Sequence, residues 1–146
     1  MEPWQLTPWD ELDLVLRLLI AALLGGLIGY ERERAEKPAG FRTHLLVCVG
    51  ATLFTVASIH GFGVLGGLGS DPSRVAAGIV VGIGFLGAGT ILRGERGITG
   101  LTTAATIWAV SAIGLAVGAG LYLAAVVTAI ILLIALRSPW GQRSGD

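Results

Sequence analysis

Long runs without a charged residue dominate the sequence from residue 14 onward. Residues 14–30 contain only Arg17, close to their start, and residues 45–60 and 75–92 contain no charged side chain. A helix needs roughly 17–25 mainly apolar residues to cross the ~30 Å hydrocarbon core of a bilayer. These runs therefore predict transmembrane helices, and we expect Arg17 to snorkel towards the lipid headgroups.

The uncharged run over residues 98–136 is about twice as long as one crossing. It must turn back on itself, and Gly114, Gly118 and Gly120 mark the place where we expect the hairpin. The pattern predicts an all-α helix bundle with an extracytoplasmic segment at 1–13, a transmembrane domain at 14–136 and a cytoplasmic tail at 137–146. The five predicted spans are residues 14–30, 44–60, 75–92, 100–117 and 119–136.

The amino-acid composition supports a membrane protein. Hydrophobic residues make up 53% of the chain and charged residues 14%, with a mean hydropathy of +0.78. A soluble domain carries about 25% charged residues, and a disordered chain is far less hydrophobic. The formal net charge is zero, so no basic excess exists for binding nucleic acid. Cys48 is the one cysteine, which excludes an intrachain disulfide and a cysteine-based zinc site, and we expect it to be buried.

Basic residues are distributed unevenly between the two ends of the predicted spans. In a five-span chain, the loop after the first span, the loop after the third and the C-terminal tail lie on one side. Because lysine and arginine favour short cytoplasmic loops, we expect the N-terminus outside and the C-terminus in the cytoplasm. The predicted cytoplasmic side carries Arg32, Arg34, Lys37, Arg42, Arg93, Arg96, Arg137 and Arg143, against Arg17 and Arg74 on the other side.

Glycine is concentrated in the predicted spans and accounts for 23 residues of the chain. Gly25 and Gly29 form one G-x-x-x-G pair, and Gly78 and Gly82 form another. Small residues let helices approach closely in lipid, so the first interpretation is helix packing. The second is a broken helix whose freed backbone groups line a cavity. The glycines concerned in the second interpretation are Gly82, Gly84, Gly87 and Gly89.

Polar residues at the span boundaries are the first candidates for function. Glu31 and Arg32 fall where the first span ends, and they can pair with each other, with Arg42 or with a headgroup phosphate. The plainer interpretation is a solvated helix end. On the outer side, Asp71 is expected to cap the third helix, with Pro72 in its first turn. We single out Glu31, Arg32, Arg42 and Thr43 at the cytoplasmic boundary, and Asp71 and Arg74 at the outer boundary.

Threonines recur at helical spacing near the start of the fourth span, and they predict one hydroxylated face. This face serves either interhelical hydrogen bonds or a hydrophilic lining directed at the third span. The threonines are Thr99, Thr102, Thr103 and Thr106.

His44 and His60 lie at opposite ends of the second span, where interfacial polar groups are expected rather than metal ligands. We expect no metal site, no cofactor and no catalytic residue.

Five sequence blocks, in this order, resemble the MgtC/SapB family over about residues 12–136. The resemblance implies a multi-pass bacterial inner-membrane protein linked to magnesium homeostasis and, in some members, to control of the ATP synthase. The blocks are G-L-I-G-Y-E-R (26–32), G-F-R-T (40–43), D-P-S-R-V-A-A (71–77), G-I-G-F-L-G-A-G (82–89) and G-L-T-T-A-A-T-I-W (100–108).

The chain departs from the virulence branch of that family. Gly78 stands where that branch has Gln, His44 and Thr102 stand where it has Asn, and Ala109 stands where it has Cys. The sequence also ends soon after the fifth span, and we expect it to be similar to the short, membrane-only members.

Two functions from different classes compete. The first is a regulatory interaction protein that binds a partner within the bilayer, either a second copy of itself or the ATP synthase. The second is a transporter of Mg²⁺ or of another small ion or solute. No predicted span has a carboxylate in its core, and Mg²⁺ prefers carboxylate ligands, so the first is favoured. An enzyme is not expected.

Overall fold

The computed structural model describes residues 8–62, 71–95 and 97–138. The five helices are α1 (Pro8–Arg34), α2 (Phe41–Val56), α3 (Ser73–Ala88), α4 (Leu101–Gly118) and α5 (Tyr122–Arg137). A π-helical segment, Ala57–Phe62, continues α2. Strands β1 (Leu92–Gly94) and β2 (Gly97–Thr99) lie between α3 and α4.

The predicted all-α bundle of five helices is confirmed. Three helical stretches are long and apolar enough to cross a bilayer, namely Asp10–Arg34, Phe41–Gly61 and Leu101–Gly118. Helices α3 and α5 are apolar but shorter, at 16 residues each. Helix α1 begins at Pro8, within the predicted extracytoplasmic segment, and residues 1–7 and 139–146 lie outside the described residues.

Helix α4 is the centre of the bundle and contacts each of the other four helices. Its buried side chains recur through its whole length, as expected for a helix that is apolar on all sides. Val110, Ile113 and Val117 pack with Ala21 and Ile28 of α1 in the main core. Helices α3 and α5 are the least enclosed, because each has two buried residues, Ile83 and Gly87 in α3 and Ala125 and Ala129 in α5.

The hairpin between α4 and α5 turns where the glycines predicted it. Gly120 has a φ of +80°, a backbone conformation that glycine adopts without strain. The N–H of Gly120 donates to the carbonyl of Val117 (3.0 Å), and the N–H of Leu121 donates to the carbonyl of Ala116 (2.8 Å). These bonds satisfy carbonyls at the end of α4. Gly120 makes the turn, whereas Gly114 and Gly118 lie inside α4.

The third predicted span ends earlier than expected. Helix α3 stops at Ala88, and the predicted end at residue 92 lies in β1. The Thr90 hydroxyl donates to the carbonyl of Gly87 (2.8 Å), which satisfies one of the last carbonyls of the helix. The following residues pair antiparallel, Leu92 with Thr99 and Gly94 with Gly97. An uncharged run gives the length of apolar chain, and here it extends beyond the helix into a short, exposed hairpin.

Candidate functional site

A buried ion pair at the C-terminal end of α1 joins α1 to α5. The Arg32 guanidinium contacts both carboxylate oxygens of Glu31, with Nη2 to Oε1 at 2.8 Å. Arg32 also donates to the carbonyl of Leu136 in α5 (3.4 Å), and only 4% of Arg32 is exposed. The sequence left several partners open for Glu31 and Arg32, and in the structure the two residues pair with each other.

His44 lies in the first turn of α2 and is fully buried within the bundle. Its Nδ1 lies 2.9 Å from the carbonyl oxygen of Gly40, and its Nε2 lies 3.3 Å from Oγ1 of Thr106 in α4. A carbonyl only accepts, so Nδ1 carries a proton and donates to Gly40. His44 has no exposed surface, and it links α2 to α4 close to the Glu31–Arg32 pair.

The four threonines do not form one hydroxylated face. Thr103 and Thr106 are buried, Thr102 is exposed although it lies one turn before Thr106, and Thr99 is exposed in β2, before α4 begins. Thr106 donates to the carbonyl of Thr103 (2.8 Å) and contacts His44 of α2. Its hydroxyl therefore supports interhelical hydrogen bonding, and the predicted lining directed at α3 is wrong for this residue.

The other boundary candidates are exposed. Arg42 and Thr43 lie in the first turn of α2, and Arg74 lies in the first turn of α3. The Asp71 side chain accepts a hydrogen bond from the backbone N–H of Ser73 (2.9 Å), the first residue of α3, and Pro72 occupies the N-cap position that was expected for Asp71. The hydrogen bonds from Ser73 lower the pKa of the Asp71 carboxyl below its ordinary value, and the nearby Arg74 charge adds to this.

The two predicted G-x-x-x-G pairs have different surroundings. A Cβ added at Gly25 would lie 2.6 Å from the Cβ of Cys48, and one added at Gly29 would lie 2.7 Å from the Cα of Phe41. Those glycines let α1 and α2 pack closely. A Cβ added at Gly78 or Gly82 would meet no atom within 4 Å, and the same holds for Gly84. The second pair therefore packs against nothing within the described chain.

The broken-helix interpretation of residues 82–89 is wrong. Helix α3 runs without interruption through Gly82, Gly84 and Gly87 to Ala88. Gly87 is buried against Ala104 of α4, at 3.7 Å from an added Cβ to the Ala104 Cβ, and Gly89 follows the helix end. The backbone N–H and C=O groups of this segment are hydrogen-bonded within the helix, so none of them is freed by a break in the helix.

An apolar groove lies between α2 and α3, and we call it the α2–α3 groove. Its volume is about 530 Å³. Gly50 of α2 and Gly78 and Gly82 of α3 line the groove, and an added Cβ at any of them would lie in open space. The remaining lining residues are Leu46, Val47, Ala51, Phe54, Val75, Ile79, Ile83, Leu86 and Ser111.

Arg17 takes part in a network that the sequence analysis missed. It donates from Nε to Asp13 (2.8 Å) and from Nη1 to the carbonyl of Gly118 at the end of α4 (2.6 Å). The Tyr122 hydroxyl of α5 donates to the other oxygen of Asp13 (3.2 Å). Arg17 thus holds three helix ends together rather than snorkelling to headgroups. The four-residue spacing of Asp13 and Arg17 was the signal available in the sequence.

Within residues 8–62, 71–95 and 97–138, no group of three histidine, cysteine or acidic side chains is placed to hold a metal ion. Every buried side-chain nitrogen and oxygen atom in these ranges has a hydrogen-bond partner. The predicted basic residues Arg96 and Arg143 lie outside the described residues. The described interior is therefore a satisfied, mainly apolar core.

Comparison with known proteins supports the resemblance of the sequence blocks. Residues 18–139 match the MgtC family. The chain is 44% identical over 128 residues to an Escherichia coli K12 protein named "Putative magnesium transporter YhiD", covering 86% of this chain and 60% of that protein. It is 40% identical over 145 residues to Protein SapB of Bacillus subtilis, covering 96% and 61%.

A third relative is Protein MgtC of Brucella abortus, 50% identical over 124 residues that cover 84% of this chain and 50% of that protein. The chain thus spans between half and three-fifths of the length of these relatives. No solved structure gave a significant match. The matched residues include all five helices from residue 18 onward, and the apolar helices are those of a membrane protein. The chain belongs to the MgtC family.

Proposed function

We propose that this protein acts in bacterial magnesium homeostasis by binding another membrane protein within the bilayer. The proposed contact surface is the α2–α3 groove. The role is one of binding and regulation rather than catalysis. The name of the Escherichia coli relative refers to magnesium transport, and that protein is longer than this chain. Its name supports the connection to magnesium, and the geometry of α3 supports a binding role.

The observation that carries the proposal is the unfilled glycine surface of α3. Gly78 and Gly82 have the spacing of a helix-packing pair, yet a side chain there would meet nothing within 4 Å. In lipid, close backbone approach supplies much of the attraction between helices. A partner helix seated on these glycines would reach the backbone of α3 and the side chains of Leu46 and Phe54. The family resemblance points to a second copy of this chain or to the ATP synthase as the partner.

The proposed location is the bacterial inner membrane, crossed by all five helices with the N-terminus outside. The basic ends of α1 and α5 and the hairpin residue Arg93 support this orientation, because lysine and arginine favour cytoplasmic loops. Helices α1, α2 and α4 have the length for a crossing, and α3 and α5 are shorter.

A transporter is the competing function, and the interior argues against it. Thr106 and His44 are buried, and their side-chain polar atoms are hydrogen-bonded within the bundle. A path for Mg²⁺ requires oxygen ligands that are open to the ion, usually with a carboxylate among them. Asp13 and Glu31, two carboxylates near opposite ends of α1, are paired with Arg17 and Arg32.

The test uses two substitutions on the same helix. In a strain that lacks the gene and grows poorly at limiting Mg²⁺, Gly82→Leu should fail to restore growth because leucine fills the groove. Gly84→Leu is the matched control, since Gly84 is equally open but lies outside the groove lining. Site-specific photo-crosslinking from position 54 should yield a crosslinked protein partner in the wild type and lose it in Gly82→Leu.

Two outcomes would reject this proposal. Equal growth of the two variants at equal protein level would show that the groove is not the contact. Mg²⁺ flux in proteoliposomes of the purified chain, retained in Gly82→Leu, would show that the chain is a transporter.

A further inference from the structure

A second cavity lies where the C-terminal ends of α1 and α5 meet, and we call it the arginine cavity. It has a volume of about 480 Å³ and is lined by Tyr30, Glu31, Arg34, Ala35 and Arg137. Three of these five side chains are charged, so its character is opposite to that of the apolar α2–α3 groove. It lies outside the surface used in the proposed function.

The charges around the arginine cavity do not cancel. Glu31 lines the cavity, but both of its carboxylate oxygens are engaged by Arg32. In the part of the chain that the structure describes, no carboxylate lies within 4.0 Å of the guanidinium of Arg34 or Arg137. The nearest acidic residue in sequence, Glu33, instead accepts the backbone N–H of Phe41 (2.8 Å). Arg34 and Arg137, from different helices, therefore line one cavity without a carboxylate partner of their own in the described chain.

Helix polarity accounts for part of this arrangement. Basic side chains in the last turn of a helix are stabilised by the partial negative charge of its carbonyl end. That effect places Arg34 near the end of α1 and Arg137 near the end of α5. It does not bring the two side chains to the same cavity, where their like charges repel. An anion between them would remove this repulsion and accept hydrogen bonds from both guanidinium groups.

Lipid-facing apolar surface leads directly to the two arginines. On α1, Leu23, Leu27 and Tyr30 precede Arg34 at spacings of four, three and four residues, and all three are strongly exposed. On α5, Ile130 and Ile134 precede Arg137 at spacings of four and three. Each helix therefore presents an exposed apolar stripe that ends in a guanidinium group. This is the arrangement that fits acyl chains below a charged headgroup.

We propose that the arginine cavity binds the phosphate of an anionic phospholipid, with the acyl chains along the stripes of α1 and α5. Arg34 and Arg137 contact the phosphate oxygens, and Tyr30 lies at the level of the headgroup, where aromatic side chains are enriched. Basic sites between helices on the cytoplasmic side are suited to anionic headgroups. The Glu31–Arg32 pair and its bond to Leu136 hold the two helix ends at the separation that the site requires.

The test measures lipid binding by the full chain. Native mass spectrometry of the protein released from nanodiscs counts retained phosphatidylglycerol against phosphatidylcholine. The variant Arg34→Gln/Arg137→Gln should bind phosphatidylglycerol about tenfold more weakly, because both charge-assisted contacts are removed. The matched control is Lys37→Gln/Arg93→Gln, which removes the same charge from exposed positions near the same membrane face and should retain the lipid. A charge-neutral variant, Ala35→Trp, should also weaken binding by occupying the cavity.

Several results would overturn this proposal. An equal loss in the two double variants would show a general charge effect rather than a site. Unchanged binding in both the arginine variant and Ala35→Trp would show that the lipid binds elsewhere. Competition by inorganic phosphate at the affinity of the lipid would make the cavity a site for free phosphate. Thermal unfolding of each variant in detergent checks that the fold is retained, and Arg34→Lys/Arg137→Lys provides a charge-preserving version of the test.

Discussion

The glycines of α4 and those of α3 have the same chemistry and opposite surroundings. Gly114 and Gly118 of α4 face the backbone of α2 so closely that an added Cβ would clash with Cys48 or Thr55. Gly78 and Gly82 of α3 have nothing within 4 Å of an added Cβ. Closely spaced small residues thus mark a completed helix contact in one region and an unfilled surface in the other.

This difference shows that a glycine motif indicates a capacity for close approach and does not identify the partner. The contact of α4 with α2 is supported by a second interaction, since the Thr52 hydroxyl donates to the carbonyl of Gly114 (2.8 Å). The α3 surface has no such support in the described chain, where its glycines face an open groove. If α3 binds a partner, substitutions at the glycines of α4 should lower the stability of the chain. Substitutions at the glycines of α3 should instead raise its stability slightly and weaken binding of the partner.

The largest effect is expected for Gly114→Ala. The added methyl group would overlap the carbonyl of Cys48, and overpacking of this kind lowers the free energy of unfolding by about 2–3 kcal/mol. The measurement is denaturant unfolding of the purified protein in detergent micelles, followed by circular dichroism. A free energy of unfolding that stays at the wild-type value would mean that α2 and α4 are further apart than the structure shows.

A smaller effect of opposite sign is expected for Gly82→Ala. Alanine has space at this position and is a better helix former, so the free energy of unfolding should rise by up to about 1 kcal/mol. The same assay applies, with Gly84→Ala as control, because it should give the same gain without altering the groove. A loss of stability in Gly82→Ala alone would show that α3 packs on a neighbour at Gly82 in the isolated chain.

The smallest effect concerns the start of α3, which has little packing to support it and depends on its cap. The Asp71 carboxylate has a lowered pKa in the folded chain, so its stabilising effect is present above its ordinary value of 3.8 and is lost as the pH falls through the folded value. We expect faster amide hydrogen exchange over the first turn of α3 in Asp71→Ala than in the wild type near neutral pH.

As the pH is lowered through the folded pKa, which lies below 3.8, that difference should disappear because the wild-type carboxyl becomes protonated. Asp71→Asn, which keeps an oxygen acceptor but no charge, is the matched control and should show a weaker dependence on pH. Equal exchange rates in the wild type and Asp71→Ala at neutral pH would contradict the capping role.

The sequence predicted the features that depend on neighbouring residues along the chain. Uncharged length predicted the five helices, Gly120 predicted the turn, and the Asp71–Pro72 pair predicted the start of α3 to within one residue. Glu31 and Arg32 are adjacent, so their pairing was also open to prediction. Each of these features involves residues that are close in sequence.

The features that depend on which helices meet were not predictable from one chain. Helical spacing shows that Thr103 and Thr106 lie near one another, but it does not show that His44 faces them from α2. The same limit explains Arg17, whose partner Gly118 lies at the far end of α4. The apolar pattern of α4 extends all round the helix, so it gave no preferred face and no list of neighbours.

The short length of α3 and α5 has a consequence for the surrounding bilayer. A helix of 16 residues is ~24 Å long, below the ~30 Å of an average hydrocarbon core. Helix α1, of 27 residues, is much longer, so the helices of the bundle differ in the thickness of bilayer that each can match. If α3 and α5 cross the bilayer as proposed, lipids next to them have to thin or tilt to cover them, and this favours membranes with shorter acyl chains. Membrane thickness would then act on the same helix that carries the open glycine surface.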